Sequence, residues 1–219
     1  MKKAILKCVD IHKNYGDINI LKGINLEIKK GESIAIMGAS GEGKTTLLHI
    51  LGALEPSTSG EIFVNEEKLE KSNAAKIRNS VIGYIFQNYN LLEDLSLKDN
   101  ILLPAMIARN NTPEVQQRAL DLLKEVNLEK QSLFLAKILS GGEKQRAAIA
   151  RCFCNDPEII LADEPSGNLD HANSKIIHDL LVSFAAKKNK SLIVATHDQE
   201  LANLCDKKYL LIGGFLQEL

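Results

Sequence analysis

The chain has 219 residues, 45% of them hydrophobic and 25% charged, the balance of an ordinary globular protein long enough to bury a sizeable core. Its 27 basic and 28 acidic side chains leave a net charge of -1, which excludes a strongly basic nucleic-acid footprint, a local patch aside. No apolar run approaches the ~20 residues of a spanning helix, and Lys7 and Asp10 interrupt "MKKAILKCVD" before a signal-peptide core forms. The expectation is a chain soluble by itself that binds no nucleic acid and reaches a membrane only through a partner.

The first third reads as β-rich. "AILKCVDI", "INLEIKKGE" and "GEIFVNEEKL" are short segments of partly alternating apolar residues. "SIAIMG" is nearly continuous instead, as suits a strand buried on both faces of a parallel sheet. From about Leu97 to Leu135 the pattern is helical, and "PEVQQRALDLLKEVNL" puts Val115, Ala119, Leu122, Leu123 and Val126 on one face behind Pro113. Then come a helix from Glu143, strand "EIILAD", helix "NSKIIHDLLVSFAAKK", strand "SLIVAT", a short helix and a terminal strand or hairpin. Strands alternating with helices argue a parallel α/β core. Cys8, Cys152, Cys154 and Cys205 lack CxxC spacing and histidine partners, so they read as buried reduced thiols rather than a zinc site. Cys152 and Cys154 flank Phe153 within a helical pattern.

Chemistry concentrates in "GASGEGKT", Gly38 to Thr45, which fits G-x-x-x-x-G-K-[ST] between a strand and a helix. Glycines at that junction let backbone N–H groups turn around phosphates, aided by the helix N-terminus. Lys44 would reach the β- and γ-phosphates of a nucleotide, and the Thr45 hydroxyl would bind Mg²⁺. "EIILADEP" places Asp163 at the exit of a buried strand, where it can orient Mg²⁺ directly or through water. Glu164 then stands ready to activate an attacking water; alone, such an acid pair also serves as a helix-capping cluster. His197, in "VATHDQE", follows a third apolar strand at the edge where such sheets bind ligands, and can sense a γ-phosphate. A lone histidine is otherwise usually structural.

"LSGGEKQR", Leu139 to Arg146, is a second glycine-rich helix entrance. Ser140 and Glu143 form a capping box, a sufficient structural reading by itself. The glycines behind the cap also leave N–H groups open to an anion. With one nucleotide already held by the first loop, a second phosphate site makes sense if it serves another molecule's ATP.

"GASGEGKT", Gln87 in "IFQNYNLL", "LSGGEKQR", "IILADEP", "SGNLD" and "THD" together resemble ATP-binding cassette (ABC) ATPases, in the same order and over essentially the whole chain. The resemblance implies an α/β P-loop NTPase with a RecA-like parallel-sheet core, an N-terminal antiparallel β lobe and an inserted α-helical lobe. It implies one domain over 1–219: about 1–87 and 156–219 as β lobe and core, about 88–155 as the helical lobe with the signature. ATP and Mg²⁺ are the implied cofactors. The loop Gly38, Ala39, Ser40, Gly41, Glu42, Gly43, Lys44, Thr45 and Thr46 would bind ATP, and Tyr15, otherwise a plain strand-end tyrosine, would stack on adenine. Thr45, Gln87 and Asp163 would hold Mg²⁺, while Glu164, His197 and Gln87 would serve hydrolysis. Ser140, Gly141, Gly142 and Glu143 would meet a partner cassette's ATP, and Asp170 would cross the dimer interface.

A finer similarity, in "FQNYNLLEDLSLKDNILLPAMIA" and "ADEPSGNLD", is to lipoprotein-releasing, macrolide-exporter and cell-division ATPases. It implies an energy subunit lying peripherally on the cytoplasmic face of the inner membrane, beside integral membrane permease subunits and a second cassette. A non-transport role, in division or cofactor assembly, shares every motif. The phosphate loop alone would also suit a small kinase, against which the signature, Gln87 and His197 argue. Leu91, Leu92, Leu95, Leu97, Ile101, Leu102 and Leu103 supply either core or part of the groove for a membrane subunit. Ala39, Glu42 and Ser166 depart from the family's usual proline, serine and threonine, and Gly213-Gly214-Phe215 from its usual terminal hairpin.

Overall fold

The computed structural model describes residues 3–219. Two long strands, β1 (Ala4–Tyr15) and β2 (Ile18–Lys29), pair antiparallel. On the other side of β1 lie β4 (Ser59–Val64) and the two-residue β5 (Glu67–Lys68), giving a sheet in the order β2-β1-β4-β5. The single segment expected over "GEIFVNEEKL" is therefore a hairpin. Asn65 and Glu66 take φ of 51° and 66°, the paired left-handed conformation that matches the twist of flanking strands.

The second sheet runs β10-β9-β3-β8-β7-β6. Its strands are β3 (Ser33–Met37), β6 (Ile82–Ile85), β7 (Ile159–Asp163), β8 (Ser191–Ala195), β9 (Lys207–Ile212) and β10 (Phe215–Glu218). All neighbours are parallel except β10, which turns back on β9. Apolar side chains cover both faces, which is why "SIAIM" and "IILAD" read as continuous runs rather than alternations. Ile34, Ile36, Leu161 and Ile193 face a core shared with the antiparallel sheet, where Leu6, Ile28 and Leu47 meet them. Ala35, Met37, Ile160 and Val194 face a second core filled by Leu102, Leu122, Ile149 and Leu181. Each such buried aliphatic side chain stabilises the fold by roughly 1.5–3 kcal/mol against exposure.

Helix α1 (Lys44–Leu51) leaves β3, and α2 (Ala74–Ser80) precedes β6. Between β6 and β7 the chain forms α3 (Leu97–Ile107), α4 (Pro113–Glu125) and α5 (Gly141–Cys152). Helices α6 (His171–Lys187) and α7 (Gln199–Asn203) follow β7 and β8. Ser96 caps α3 by accepting from the Asp99 N–H, and Thr112 caps α4 from Val115, with Pro113 in the first turn where no N–H is needed. Val115, Ala119, Leu122 and Leu123 are the buried face of α4, and Val126 just beyond it is buried too. None of the helices of the described residues is long and apolar enough to cross a membrane.

Several expectations change in detail. Helix α5 begins at Gly141, not at Glu143, because Ser140 caps it. It ends at Cys152, so Cys154 lies in the turn beyond rather than in the helix. Cys8, Cys152 and Cys154 are buried, while Cys205 is partly exposed. Helix α2 and strand β6 are elements beyond those read from the sequence.

Strand β6 packs so tightly on the end of α5 that Gly83 has no room for a side chain. A Cβ there would meet the Cys152 sulfur, lie 2.9 Å from Pro157 Cγ and sit 3.0 Å from the Cys152 carbonyl. Gly83→Ala should cost about 1–3 kcal/mol through overpacking, read as a lower denaturation midpoint at unchanged m-value.

Candidate functional site

Strand β3 delivers the chain to a loop, Gly38 to Gly43, whose last residue is the N-cap of α1. Gly43 has φ of 96°, a left-handed conformation costly for any other residue. A Cβ there would also lie 2.7 Å from Ile20 Cγ2 on the neighbouring sheet. The loop borders a cleft of about 540 Å³ lined by Ser40, Gly41, Gly43, Lys44, Thr45, Thr46, Gln87, Glu164, His197 and Ile20. Sequence reasoning named all of these except Ile20, which lies on β2 with no local mark of the site.

Lys44 is buried at the floor. Its ammonium donates to the Gly38 carbonyl at 2.8 Å and the Ala39 carbonyl at 3.1 Å, and stands 3.5 Å from Glu164 Oε1. A cation so far from water needs such oxygens, or a phosphate, around it. The Thr45 hydroxyl donates to Asp163 Oδ1 at 3.1 Å. Burial lifts the Asp163 carboxyl above the usual carboxylate range, against the Thr45 hydrogen bond, and the neighbouring Glu164 charge pushes it further up. The Thr45 hydroxyl and Gln87 line the cleft, and Thr45 meets the Asp163 carboxylate; hydroxyl, carboxylate and amide oxygens are the donor chemistry of a small hard cation.

Glu164 follows β7 directly and has φ of 42°, a strained conformation for a non-glycine residue of the kind found where function fixes the backbone. The adjacent acids meet different partners, Asp163 the Thr45 hydroxyl and Glu164 the His197 ring and Lys44. Glu164 Oε2 lies 2.9 Å from His197 Nδ1 and accepts from the His197 backbone N–H at 3.4 Å. The backbone is held as well: the Glu164 N–H donates to the Ala195 carbonyl on β8 at 2.9 Å.

Ser140 and Glu143 close both arms of the capping box. The Ser140 N–H donates to Glu143 Oε2 at 2.9 Å and the Glu143 N–H to Ser140 Oγ at 3.3 Å. Hydrogen bonds from the Ser140 side chain and backbone hold the Glu143 carboxyl below its usual range. Neither these residues nor Gly141 and Gly142 line the Lys44 cleft, so within one chain the signature and the phosphate loop are separate surfaces. Asp170 caps α6, accepting from the Asn173 N–H at 2.9 Å and its side-chain amide at 2.7 Å.

Arg151, which no motif flagged, connects α5 to the turn after Gln87. Its guanidinium donates to the Asn90 carbonyl and, at 2.6 Å, to the Tyr89 carbonyl. Both those residues are left-handed. Asn168 grips the same segment by donating to the Gln87 carbonyl at 3.1 Å.

Tyr15 lies outside the cleft lining, at the end of β1 and 46% exposed. Its hydroxyl donates to Glu55 at 2.6 Å, and Lys13 Nζ sits 4.9 Å from the ring centroid and 2.7 Å from Glu55. The Glu55 hydrogen bond raises the phenol pKa, opposed by the nearby Thr46 hydroxyl. Glu42, in the phosphate loop, accepts from the Gly213 N–H at 2.6 Å, and the Gly214 carbonyl accepts from the Lys22 N–H at 2.8 Å. The terminal hairpin thus props both the loop and β2.

Of the apolar run after Gln87, Leu97, Ile101 and Leu102 are core and Leu91 packs against it. Leu92 is 49% exposed.

The family model described as "ABC transporter" matches residues 21–167. A protein of Protochlamydia amoebophila, named lipoprotein-releasing system ATP-binding protein LolD, is 46% identical over 218 residues, covering 97% of this chain and 96% of that protein. A protein of the same name from Cytophaga hutchinsonii is 43% identical, covering 98% and 99%. Among solved structures, the dimeric post-hydrolysis state of the ATP-binding cassette MJ0796 bound to ADP and Pi superposes with a TM-score of 0.88 at 36% identity, covering 98% of this chain and 97% of that one. A second dimeric MJ0796 structure gives 0.88 at 37% identity.

Proposed function

The chain belongs to the ABC transporter family as an ATP-binding, ATP-hydrolysing subunit, and from that premise we propose that it powers the release of lipoproteins from a membrane. The observation that carries this reading is identity along the whole length with proteins named for lipoprotein release, 46% in one case.

On this reading Lys44 and the N–H groups of Gly41 to Thr45 hold the ATP phosphates, and Tyr15 stacks on adenine. Thr45, Asp163 and Gln87 would hold Mg²⁺, which when bound neutralises phosphate charge. Glu164 takes up or polarises the proton of the attacking water. His197, paired with Glu164 at 2.9 Å, orients that carboxylate and touches the γ-phosphate. Lys44, 3.5 Å from Glu164, ties the base to the nucleotide it grips. Ser140 and its glycines meet the ATP of a second copy, with Asp170 crossing between them, so ATP closes the pair and hydrolysis reopens it. Arg151 passes that change from the Gln87 segment to α5. The chain would sit peripherally on the cytoplasmic face of the inner membrane, on integral permease subunits.

Affinity purification from detergent-solubilised native membranes tests the assignment. Co-purifying membrane subunits with a large periplasmic domain are expected. A division-site membrane protein, or soluble partners alone, would overturn lipoprotein release while leaving the ATPase chemistry in place.

A further inference from the structure

Helix α6 buries Ser174, Ile177, Leu181 and Phe184 against the sheet, and on this face stands a histidine, His178, only 2% exposed. An imidazole is a costly choice for a position that a phenyl ring would fill, unless its nitrogens are used. His178 Nε2 lies 2.7 Å from Ser166 Oγ and 3.7 Å from Asp198 Oδ2. Ser166 is two residues beyond Glu164; Asp198 is the residue after His197. One buried ring therefore touches both loops that carry the Glu164–His197 pair.

Besides the direct Glu164–His197 pairing and the Glu164 N–H bond to Ala195, each loop has bonds of its own. The Gly167 N–H donates to the Glu164 carbonyl at 3.0 Å, closing the turn in which Glu164 is strained. The Asp198 N–H donates to Thr196 Oγ1 at 3.0 Å, and Asp198 Oδ1 caps α7 from Glu200 and Leu201. The Ser174 hydroxyl, one turn before His178 on α6, reaches the Ser166 carbonyl at 3.5 Å. Side chains on α6 thus hold Ser166 at both its hydroxyl and its carbonyl. A serine hydroxyl can donate to or accept from the ring, so either tautomer of His178 keeps the bond.

We propose that His178 is a positioning residue for ATP hydrolysis, fixing the Glu164 turn against the His197 loop through Ser166 and Asp198. The proposal rests on the hydrolytic roles given to Glu164 and His197 above. Burial lowers the His178 pKa against the opposing pull of Asp198, Glu200 and Asp179, so the ring works as a neutral hydrogen-bonding strut.

The test uses the full chain in the complex with which it co-purifies, comparing His178→Phe, His178→Gln, Ser166→Ala and the double variant His178→Phe/Ser166→Ala. His178→Phe should lower kcat about tenfold or more, the scale of misplacing a catalytic group, with KM for ATP, ATP affinity and thermal midpoint held. His178→Gln should recover much of kcat, because an amide can still meet Ser166. Ser166→Ala should match His178→Phe, and the double variant should be no worse than either. Activity of His178→Phe within twofold of the parent, or losses that multiply in the double variant, would overturn the proposal. If His178→Phe fails to fold, an unimpaired Ser166→Ala would overturn it by itself. Glu164→Gln in the same assay separates the two levels: full activity there removes the underlying reading, whereas loss there with His178→Phe unimpaired removes only this proposal.

Discussion

Glu164→Gln is expected to bind ATP and hydrolyse it roughly 10²–10⁴-fold more slowly, the usual cost of losing an activating base. The substitution is nearly isosteric, and the amide oxygen can still accept from the His197 N–H that now donates to Oε2. What disappears is the ability to take a proton, together with a negative charge 3.5 Å from the buried Lys44 ammonium. Lys44 keeps the Gly38 and Ala39 carbonyls, but a phosphate becomes a more valuable partner for it, so ATP affinity should be kept or increased. Phosphate release and nucleotide binding measured on one preparation check both halves, and size-exclusion chromatography with ATP should show a stable pair of cassettes. Full turnover in this variant would remove Glu164 from its assigned role.

Ser140→Arg should abolish hydrolysis for a different reason. The capping box is lost, a local cost of about 0.5–2 kcal/mol, and a cation is placed at the positive end of α5. More consequentially, a long side chain would project where a second cassette's nucleotide has to approach. Because Ser140 does not line the Lys44 cleft, ATP binding to the isolated chain should be unchanged while the rate falls to background. Any dependence of specific activity on protein concentration should vanish with it. Ser140→Thr, which retains a hydroxyl cap, is the control. Undiminished activity of Ser140→Arg, from a species that stays monomeric, would refute the shared-site reading.

The parts of this site that were legible in the sequence are those built from contiguous residues. "SIAIMGASGEGKTT" encodes strand, loop and helix within one stretch, so backbone geometry and chemistry are specified together. "IILADEP" and "IVATHD" likewise place their polar groups at the ends of buried runs. The α/β class followed from the same runs. What stayed hidden depends on residues brought together across the fold. Ile20 enters the cleft from the antiparallel sheet, Glu55 reaches Tyr15 across the turn after α1, and Arg151 closes on Tyr89 and Asn90. No spacing rule announces such pairs. Tyr89 and Asn90 adopt left-handed backbone without a glycine, so even the turn they make lacks its usual punctuation. His178 occupies a position that helical periodicity assigns to the core, which is where it is; its contacts with Ser166 and Asp198 distinguish it from the leucines around it.

Two oddities of the chain, Glu42 in the phosphate loop and Gly213-Gly214 in the last hairpin, turn out to be one feature, since the Gly213 N–H donates to the Glu42 carboxylate. Both partners lie at the surface, so water can replace either one, and what the bond adds is a tie between the phosphate loop and the last hairpin of the chain. A shift of that hairpin is thereby passed to the loop between β3 and α1, although the two lie 171 residues apart in the chain.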